Sequence, residues 1–152
     1  DFETFVMSDG MIGQSIVDAI GSDLEGAFGS LPGAISKGSA KFGELAADKG
    51  VDGSSPFVPE SYDAAAIIAL AIQAGGSADK QSILKNIRKV SNAPGIIINP
   101  GQISYGLQML AAGKDIDYQG ATDVEFNAIG DADGAFKEVE VRGGSFVVVG
   151  AL

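Results

Sequence analysis

The chain has 152 residues, with 20 acidic side chains against 10 basic ones, and it contains no histidine, cysteine or tryptophan. The lack of histidine and cysteine excludes a Ser-His-Asp triad, a thiol nucleophile and a Cys/His zinc site. A formal net charge of −10 argues against a surface that binds the phosphates of nucleic acids. The composition therefore favours a globular protein that is not a conventional enzyme.

The N-terminal part of the sequence alternates short strands with helices. We predict a strand over residues 3–7, a helix from about Ile12 to Ile20, and a second strand over residues 26–31. Pro32 and Gly33 end that strand, and a helix of modest quality follows over residues 34–50. Residues 51–59 contain two serines and two prolines and are predicted to form a loop.

The middle of the sequence is predominantly helical. The predicted helix of residues 60–74 contains residues 64–72, which are apolar on all sides and indicate a helix buried over most of its surface. Residues 77–79 are predicted to cap the start of the next helix, with an acid in its first turn, and a further helix is expected over residues 102–112. Residues 96–98 are the only strand candidate in this block. Because an apolar helix needs a sheet or other helices to cover it, the chain is either an all-α core with a β appendage or part of a longer protein.

In the C-terminal part of the sequence the apolar residues again follow the pattern that is typical of β-strands. Strands are predicted around Val124 and Phe126, over residues 136–141, and over residues 146–149. Gly143 and Gly144 indicate a two-residue hairpin turn, because such turns favour residues that tolerate a positive φ.

Two groups of acidic residues are candidate sites. Asp131, Asp133 and Glu140 match positions three, five and twelve of a calcium-binding EF-hand loop, but Ile129 stands where the first carboxylate is needed. Because the flanks are also predicted strands, we interpret this segment as a β-turn and expect no metal site. Asp115 and Asp117 could act as an acid–base pair, but the pattern is more typical of a solvated loop.

Asp9 is the acidic residue with the most suggestive position. Ser8, Asp9 and Gly10 follow an apolar strand directly and precede a helix. In open α/β sheets ligands bind at the carboxyl ends of strands, and a carboxylate there could bind a ligand ammonium. The alternative from the residues alone is a helix cap or a turn. Tyr62 and Tyr105 could face a cleft, although core packing is the default for both.

Several segments together resemble the branched-chain amino-acid type of periplasmic solute-binding protein. The resemblance is carried by the buried helix of residues 61–77 and by the run Ala-Ala-Gly-Lys-Asp-Ile-Asp-Tyr-Gln-Gly-Ala of residues 111–121. The same order is kept by residues 5–11, 24–26, 124–126, 130–131 and 134–136. The resemblance covers nearly the whole chain.

The resemblance implies an α/β fold of type I, in which two three-layer α/β/α lobes are joined by hinge crossings. This chain would be the C-terminal portion only, with antiparallel strands at its C-terminus. Residues 1–31 would belong to the second lobe, residues 32–134 to the first lobe, and residues 135–152 would return to the second lobe. The hinge crossings would fall at Leu31, Pro32 and Gly33 and at Gly134 and Ala135.

The resemblance also implies a function as the extracytoplasmic or periplasmic, membrane-associated solute receptor of an ABC importer. Such a protein binds a small amino acid or a related amide or carboxylate in the cleft between its lobes, closes by a hinge motion, and delivers the solute to a membrane permease. Asp9 would hold the ligand ammonium, and Ser8, Gly10, Met11 and Tyr62 would line the site. No cofactor, catalytic residue or nucleic-acid partner is implied, and the missing N-terminal part of the same protein would complete the site.

Two other functions remain open on the sequence. A sensor or regulator with the same fold would use ligand closure to signal to a partner rather than to deliver a solute. A carboxylate-based hydrolase would use Asp9 or Asp115, but nothing in the sequence pairs these two acids.

Overall fold

The computed structural model describes residues 4–33, 35–132 and 134–151, and these residues form two compact units. Unit 1 consists of the described residues within 1–35, 55–57 and 134–152. Unit 2 consists of the described residues within 36–54 and 58–133. No helix in the described ranges is long and apolar enough to cross a membrane.

Unit 1 contains a four-stranded mixed sheet. Its strands are β1 (Val6–Met7), β2 (Phe28–Pro32), β5 (Phe136–Arg142) and β6 (Ser145–Ala151), in the spatial order β1-β2-β5-β6. β1 and β2 are parallel, whereas the β2–β5 and β5–β6 pairs are antiparallel. A short helix, α1 (Gln14–Ile20), follows β1. The core of this unit is apolar and contains Met7, Ile12, Val17, Leu24, Ala27, Leu31, Val139 and Val141.

The predicted hairpin between the two C-terminal strands is confirmed. Arg142 pairs with Ser145, so Gly143 and Gly144 form a two-residue connection. Their φ angles are 60° and 78°. Two-residue turns of this kind need positive φ at both positions, which glycine adopts without the clash that a Cβ would cause.

Unit 2 contains four helices and a two-stranded parallel sheet in the part of the chain that the structure describes. The helices are α2 (Lys37–Asp48), α3 (Val58–Gly75), α4 (Lys80–Ser91) and α5 (Ile103–Ala111), and the strands are β3 (Ile96–Ile98) and β4 (Ile116–Tyr118). The apolar helix predicted from the sequence is α3. Its buried residues pack with those of α4, β3 and β4 into one core, made of Ala66, Ile67, Leu70, Ala71, Val90, Ile98, Ile116, Tyr118 and Val124. The opposite side of α3 is less covered, since Ile68 is 45% exposed.

Two helix starts show how local signals set the boundaries. Oδ1 of Asp79 accepts hydrogen bonds from the backbone N–H groups of Gln81 at 3.1 Å and Ser82 at 2.9 Å, so within the predicted capping segment of residues 77–79 it is Asp79 that caps α4. Ser36 and Ser39 form a reciprocal capping box at the start of α2.

The structure corrects two strand predictions. Residues 96–98 do form a strand, but its partner β4 was missed, because Ile116–Tyr118 lies where a solvated loop was expected. The strand expected around Val124 and Phe126 is wrong: Phe126 makes only an isolated bridge to Ala132. The side chain of Asn92 binds the backbone of Phe126 instead of a neighbouring strand. Oδ1 of Asn92 accepts a hydrogen bond from the N–H of Phe126 at 3.2 Å, and Nδ2 donates to its C=O at 2.8 Å.

Candidate functional site

Asp9 lies where the sequence places it, directly beyond the carboxyl end of β1. It begins a short 3-10 turn, Asp9–Met11, which precedes α1. Oδ1 of Asp9 accepts a hydrogen bond from the N–H of Gly10 at 2.7 Å. Asp9 is half-buried, and Ser8, Gly10 and Met11 are exposed around it. The turn therefore presents a carboxylate and several exposed groups beyond the carboxyl end of β1, while the ligand-binding role of these residues stays a prediction.

The two segments predicted as hinge crossings run side by side within unit 1. The N–H of Gly33 donates to the C=O of Ala135 at 3.0 Å, and Pro32 pairs with Phe136 in the β2–β5 ladder. Gly33 has a φ of 141°, which side chains with a Cβ rarely adopt. Lys137 lies against it, with Nζ 3.1 Å from the position that a Cβ on residue 33 would take. The backbone at residue 33 therefore favours glycine.

Tyr62 is engaged in contacts within unit 2. Its hydroxyl accepts a hydrogen bond from the N–H of Gly101 at 2.9 Å, and its ring lies 5.0 Å from that of Phe42 at an angle of 44°. Both rings line an apolar cavity of about 360 Å³ together with Leu45, Val58 and other residues. Packing thus accounts for the position of the ring, while its role in ligand binding stays a prediction. Tyr105, the other tyrosine considered, lies on α5 and is 44% exposed.

Asp63 is a buried carboxylate that the sequence reasoning missed. It is 2% exposed and lies on α3, and its oxygens accept hydrogen bonds from four donor groups. These are the Tyr118 hydroxyl at 2.7 Å, the N–H of Ala121 at 2.8 Å, and the N–H and hydroxyl of Thr122, each at 2.8 Å. Asp63 therefore ties α3 to the segment that follows β4. The available signal was an acid directly before the apolar run of α3, because a buried charge requires partners.

Two further features fit this network. Burial and the negative charge of Asp63 raise the pKa of Tyr118, so the phenol stays protonated and donates its hydrogen bond. Gly120 adopts a φ of 64°, and a Cβ at this position would run into the Asp63 carboxylate. These contacts indicate that the Asp63 network has a structural role.

The acid pair Asp115 and Asp117 is not the solvated loop that the sequence suggested. Asp115 is exposed, but Asp117 lies in β4 and is only 4% exposed. Burial raises its pKa, and the negative charge of Glu125 adds to that effect. Oδ2 of Asp117 accepts a long hydrogen bond from Nε2 of Gln119 at 3.4 Å, whereas Oδ1 has no hydrogen-bond partner.

No group of three acidic side chains in the described ranges is arranged to hold a metal ion. Asp133 of the considered calcium loop lies outside the described residues, and Glu140 lies on β5. Glu140 instead forms an ion pair with Arg142 at 2.7 Å, and this hydrogen bond lowers the pKa of its carboxyl group.

The fold matches that of solved periplasmic binding proteins. The chain is similar to a leucine binding protein, LivK, from Thermotoga maritima, with 20% identity and a TM-score of 0.70 over 98% of this chain and 37% of that one. It is also similar to a protein from Rhodospirillum rubrum described as a branched-chain amino acid ABC transporter, with 16% identity and a TM-score of 0.55 over 95% of this chain and 36% of that one. No family model and no curated protein matches the sequence.

These likenesses define the fold class. The chain has the α/β fold of type I periplasmic binding proteins, including the antiparallel strands at its C-terminus. It spans little more than a third of the length of these two structures, which is consistent with a C-terminal portion of such a protein.

Proposed function

We propose that this chain is the C-terminal portion of a solute-binding protein that serves an ABC importer outside the cytoplasm. Its ligand would be a small amino acid or a related amide or carboxylate, held in a cleft between two lobes. The fold supports a binding role rather than catalysis, because both similar structures are described by what they bind or transport. A membrane permease and the remaining part of a two-lobed protein would be its partners.

The observation that carries this proposal is the position of Asp9. A carboxylate directly after a parallel strand, at the N-terminal side of a short turn, is well placed to accept hydrogen bonds from a ligand ammonium. Ser8, Gly10 and Met11 supply exposed polar and apolar surface around it, and Tyr62 would contribute from the other lobe. In this proposal Asp9 is the main determinant of affinity for amino acids.

The lobe boundaries and hinges belong to the same proposal. Residues 1–31 and 135–152 would form part of one lobe, and residues 32–134 part of the other. The close pairing of Gly33 with Ala135 supports hinges at Leu31, Pro32 and Gly33 and at Gly134 and Ala135, because two adjacent crossings can bend together. Ligand-driven closure would then be recognised by the permease, or by a signalling partner in a sensor with the same fold.

The test is the replacement Asp9→Asn in the complete solute-binding protein, followed by calorimetric titration with a panel of amino acids and their amides. Loss of one partner of a desolvated charge pair costs about 2–5 kcal/mol, so affinity should fall by at least roughly 30-fold. Asp23→Asn is the matched control, since Asp23 is an exposed acid in the same unit. Unchanged affinity in Asp9→Asn, together with reduced stability, would show that Asp9 is only a turn residue.

A further inference from the structure

Three Asp-Gly pairs occur in the sequence, at residues 9–10, 52–53 and 133–134. In such a pair the backbone nitrogen of the glycine can attack the side-chain carboxyl carbon of the aspartate, because glycine has no Cβ that shields this nitrogen. The rate depends on how closely the folded chain holds the two atoms and on whether the backbone around them can rotate. Asp133 lies outside the described residues, which leaves the first two pairs.

The Asp9–Gly10 pair holds the two reacting groups against each other. Oδ1 of Asp9 accepts a hydrogen bond from the N–H of Gly10 at 2.7 Å, so the carboxyl group lies beside the nitrogen that would attack it. Gly10 is exposed, and a Cβ built on it would meet no described atom within 4 Å, its chain neighbours aside. The space around this peptide bond is therefore open for the rotation that closes a ring.

The Asp52–Gly53 pair has the same sequence in different surroundings. Oδ1 of Asp52 accepts hydrogen bonds from the N–H of Ser54 at 2.9 Å and from its hydroxyl at 2.6 Å, so this carboxyl group is held by the residue beyond the glycine. Gly53 is packed against α2, since a Cβ on it would lie 2.9 Å from Cβ of Ala46 and 3.3 Å from the ring of Phe42. Ring closure here requires that these hydrogen bonds break and that Gly53 leave its packing.

We propose that Asp9–Gly10 is a site of spontaneous aspartate isomerisation in the folded chain, whereas Asp52–Gly53 is protected. The backbone nitrogen of Gly10 bonds to Cγ of Asp9, and the carboxyl O–H leaves with the N–H proton as one water, which gives a five-membered succinimide. Water then adds to this ring. Addition at Cγ restores aspartate, and addition at the main-chain carbonyl carbon gives isoaspartate, in which the main chain runs through Cβ and Cγ.

Isomerisation would change the turn that follows β1. The C=O of Asp9 accepts a hydrogen bond from the N–H of Ile12 at 3.1 Å, and the C=O of Ser8 accepts one from the N–H of Met11 at 2.9 Å. In isoaspartate the former main-chain carbonyl carbon carries the free carboxyl group, and the main chain is one carbon longer. A further consequence rests on the proposed function: the modified chain would no longer present the Asp9 carboxylate to a ligand ammonium.

The test is incubation of the 152-residue chain at neutral pH without ligand, followed by proteolytic digestion and mass spectrometry of the peptides that contain each pair. Succinimide is detected by the loss of one water. Isoaspartate is detected by altered chromatographic retention at unchanged mass and by labelling with a protein isoaspartyl methyltransferase. We expect modification at Asp9 to be at least about tenfold faster than at Asp52 in the folded chain, and the two rates to be similar in urea.

Three results would overturn the proposal. They are the absence of modification at Asp9 in the folded chain, equal rates at the two pairs in the folded chain, and a difference between the pairs that persists unchanged in urea. The third result would mean that the neighbouring sequence, and not the folded geometry, sets the rates.

Two variants test the geometry at each pair. Gly10→Ala places a Cβ in open space at a residue whose φ lies outside the left-handed region, so the fold should tolerate it. It should slow modification at Asp9 several-fold, because the Cβ shields the nitrogen, and an unchanged rate would overturn the proposal. Ser54→Ala removes the hydroxyl that donates to Asp52 and should speed modification at Asp52 while the rate at Asp9 stays the same.

The consequence for binding is tested in the complete protein. The number of amino-acid binding sites should fall in step with the fraction of isoaspartate at position 9. Modified protein that binds at full stoichiometry would uphold the isomerisation site and contradict the ammonium-binding role of Asp9, so the two proposals fail separately.

Discussion

The buried Asp63 network offers the most direct test of how unit 2 is held together. We expect Asp63→Ala to destabilise the chain by removing the acceptor for four donor groups. Two of these donors, the Tyr118 hydroxyl and the N–H of Ala121, belong to residues that are almost completely buried, so water cannot replace the lost bonds.

The magnitude follows from these two donors. Each buried donor left without an acceptor costs about 1–3 kcal/mol, so these two donors together cost about 2–6 kcal/mol. We therefore expect a decrease of about 2–6 kcal/mol in the free energy of unfolding. Because domains of this size are stable by only about 5–15 kcal/mol, the variant should unfold at a much lower urea concentration.

The assay is urea unfolding followed by far-ultraviolet circular dichroism, with two companion variants. Tyr118→Phe removes one donor and leaves the carboxylate three others, so it should cost only about 1–2 kcal/mol. Asp23→Ala, at an exposed acid of unit 1, should change stability by less than about 0.5 kcal/mol. A loss below about 1 kcal/mol for Asp63→Ala would refute the view that this carboxylate organises unit 2.

Three further predictions concern other parts of the chain. Because the folded-state pKa of Asp117 is raised above its unfolded value, the folded chain binds this proton more tightly, and stability is lost as pH rises from the ordinary carboxyl pKa of about 3.9 through the raised value. Asp117→Asn should therefore lose less stability than the wild type between pH 4 and pH 7 in urea titrations, and parallel pH profiles would contradict this. Gly143→Ala should cost about 1–2 kcal/mol because φ is 60° in the hairpin, whereas Gly143→Asn should cost less than half as much; equal costs would refute a turn that requires positive φ. Gly120→Ala should be more damaging than Gly143→Ala, since its Cβ also meets the Asp63 carboxylate, and the same unfolding assay would show the reverse order if that contact were unimportant.

The elements that the sequence predicted well are those set by local signals. The apolar run of α3, the capping segment of α4 and the Gly143–Gly144 turn depend on residues within a few positions of one another. The resemblance to periplasmic binding proteins rested on the order of such local motifs, and the structural likeness confirms it at the level of the fold.

The missed features depend on contacts between distant residues. β4 is only three residues long and contains two polar groups, so its burial is set by β3, about 20 positions earlier, and not by its own pattern. Asp63 is satisfied by residues 55 to 59 positions later, a distance over which a single sequence carries no signal. The strand expected at Phe126 does not form, because the backbone of Phe126 is hydrogen-bonded to the side chain of Asn92, 34 positions earlier.

The proposed function depends on a small solute bound with the help of Asp9. The most direct measurement is native mass spectrometry of the complete protein, isolated without added ligand from cells that produce it, beside the Asp9→Asn variant and a denatured control. We expect a co-purified mass in the range of a small amino acid or amide, present in the native wild-type protein and lost in Asp9→Asn. A wild-type protein without any bound small molecule, which also fails to take up a single member of an amino-acid panel, would contradict it.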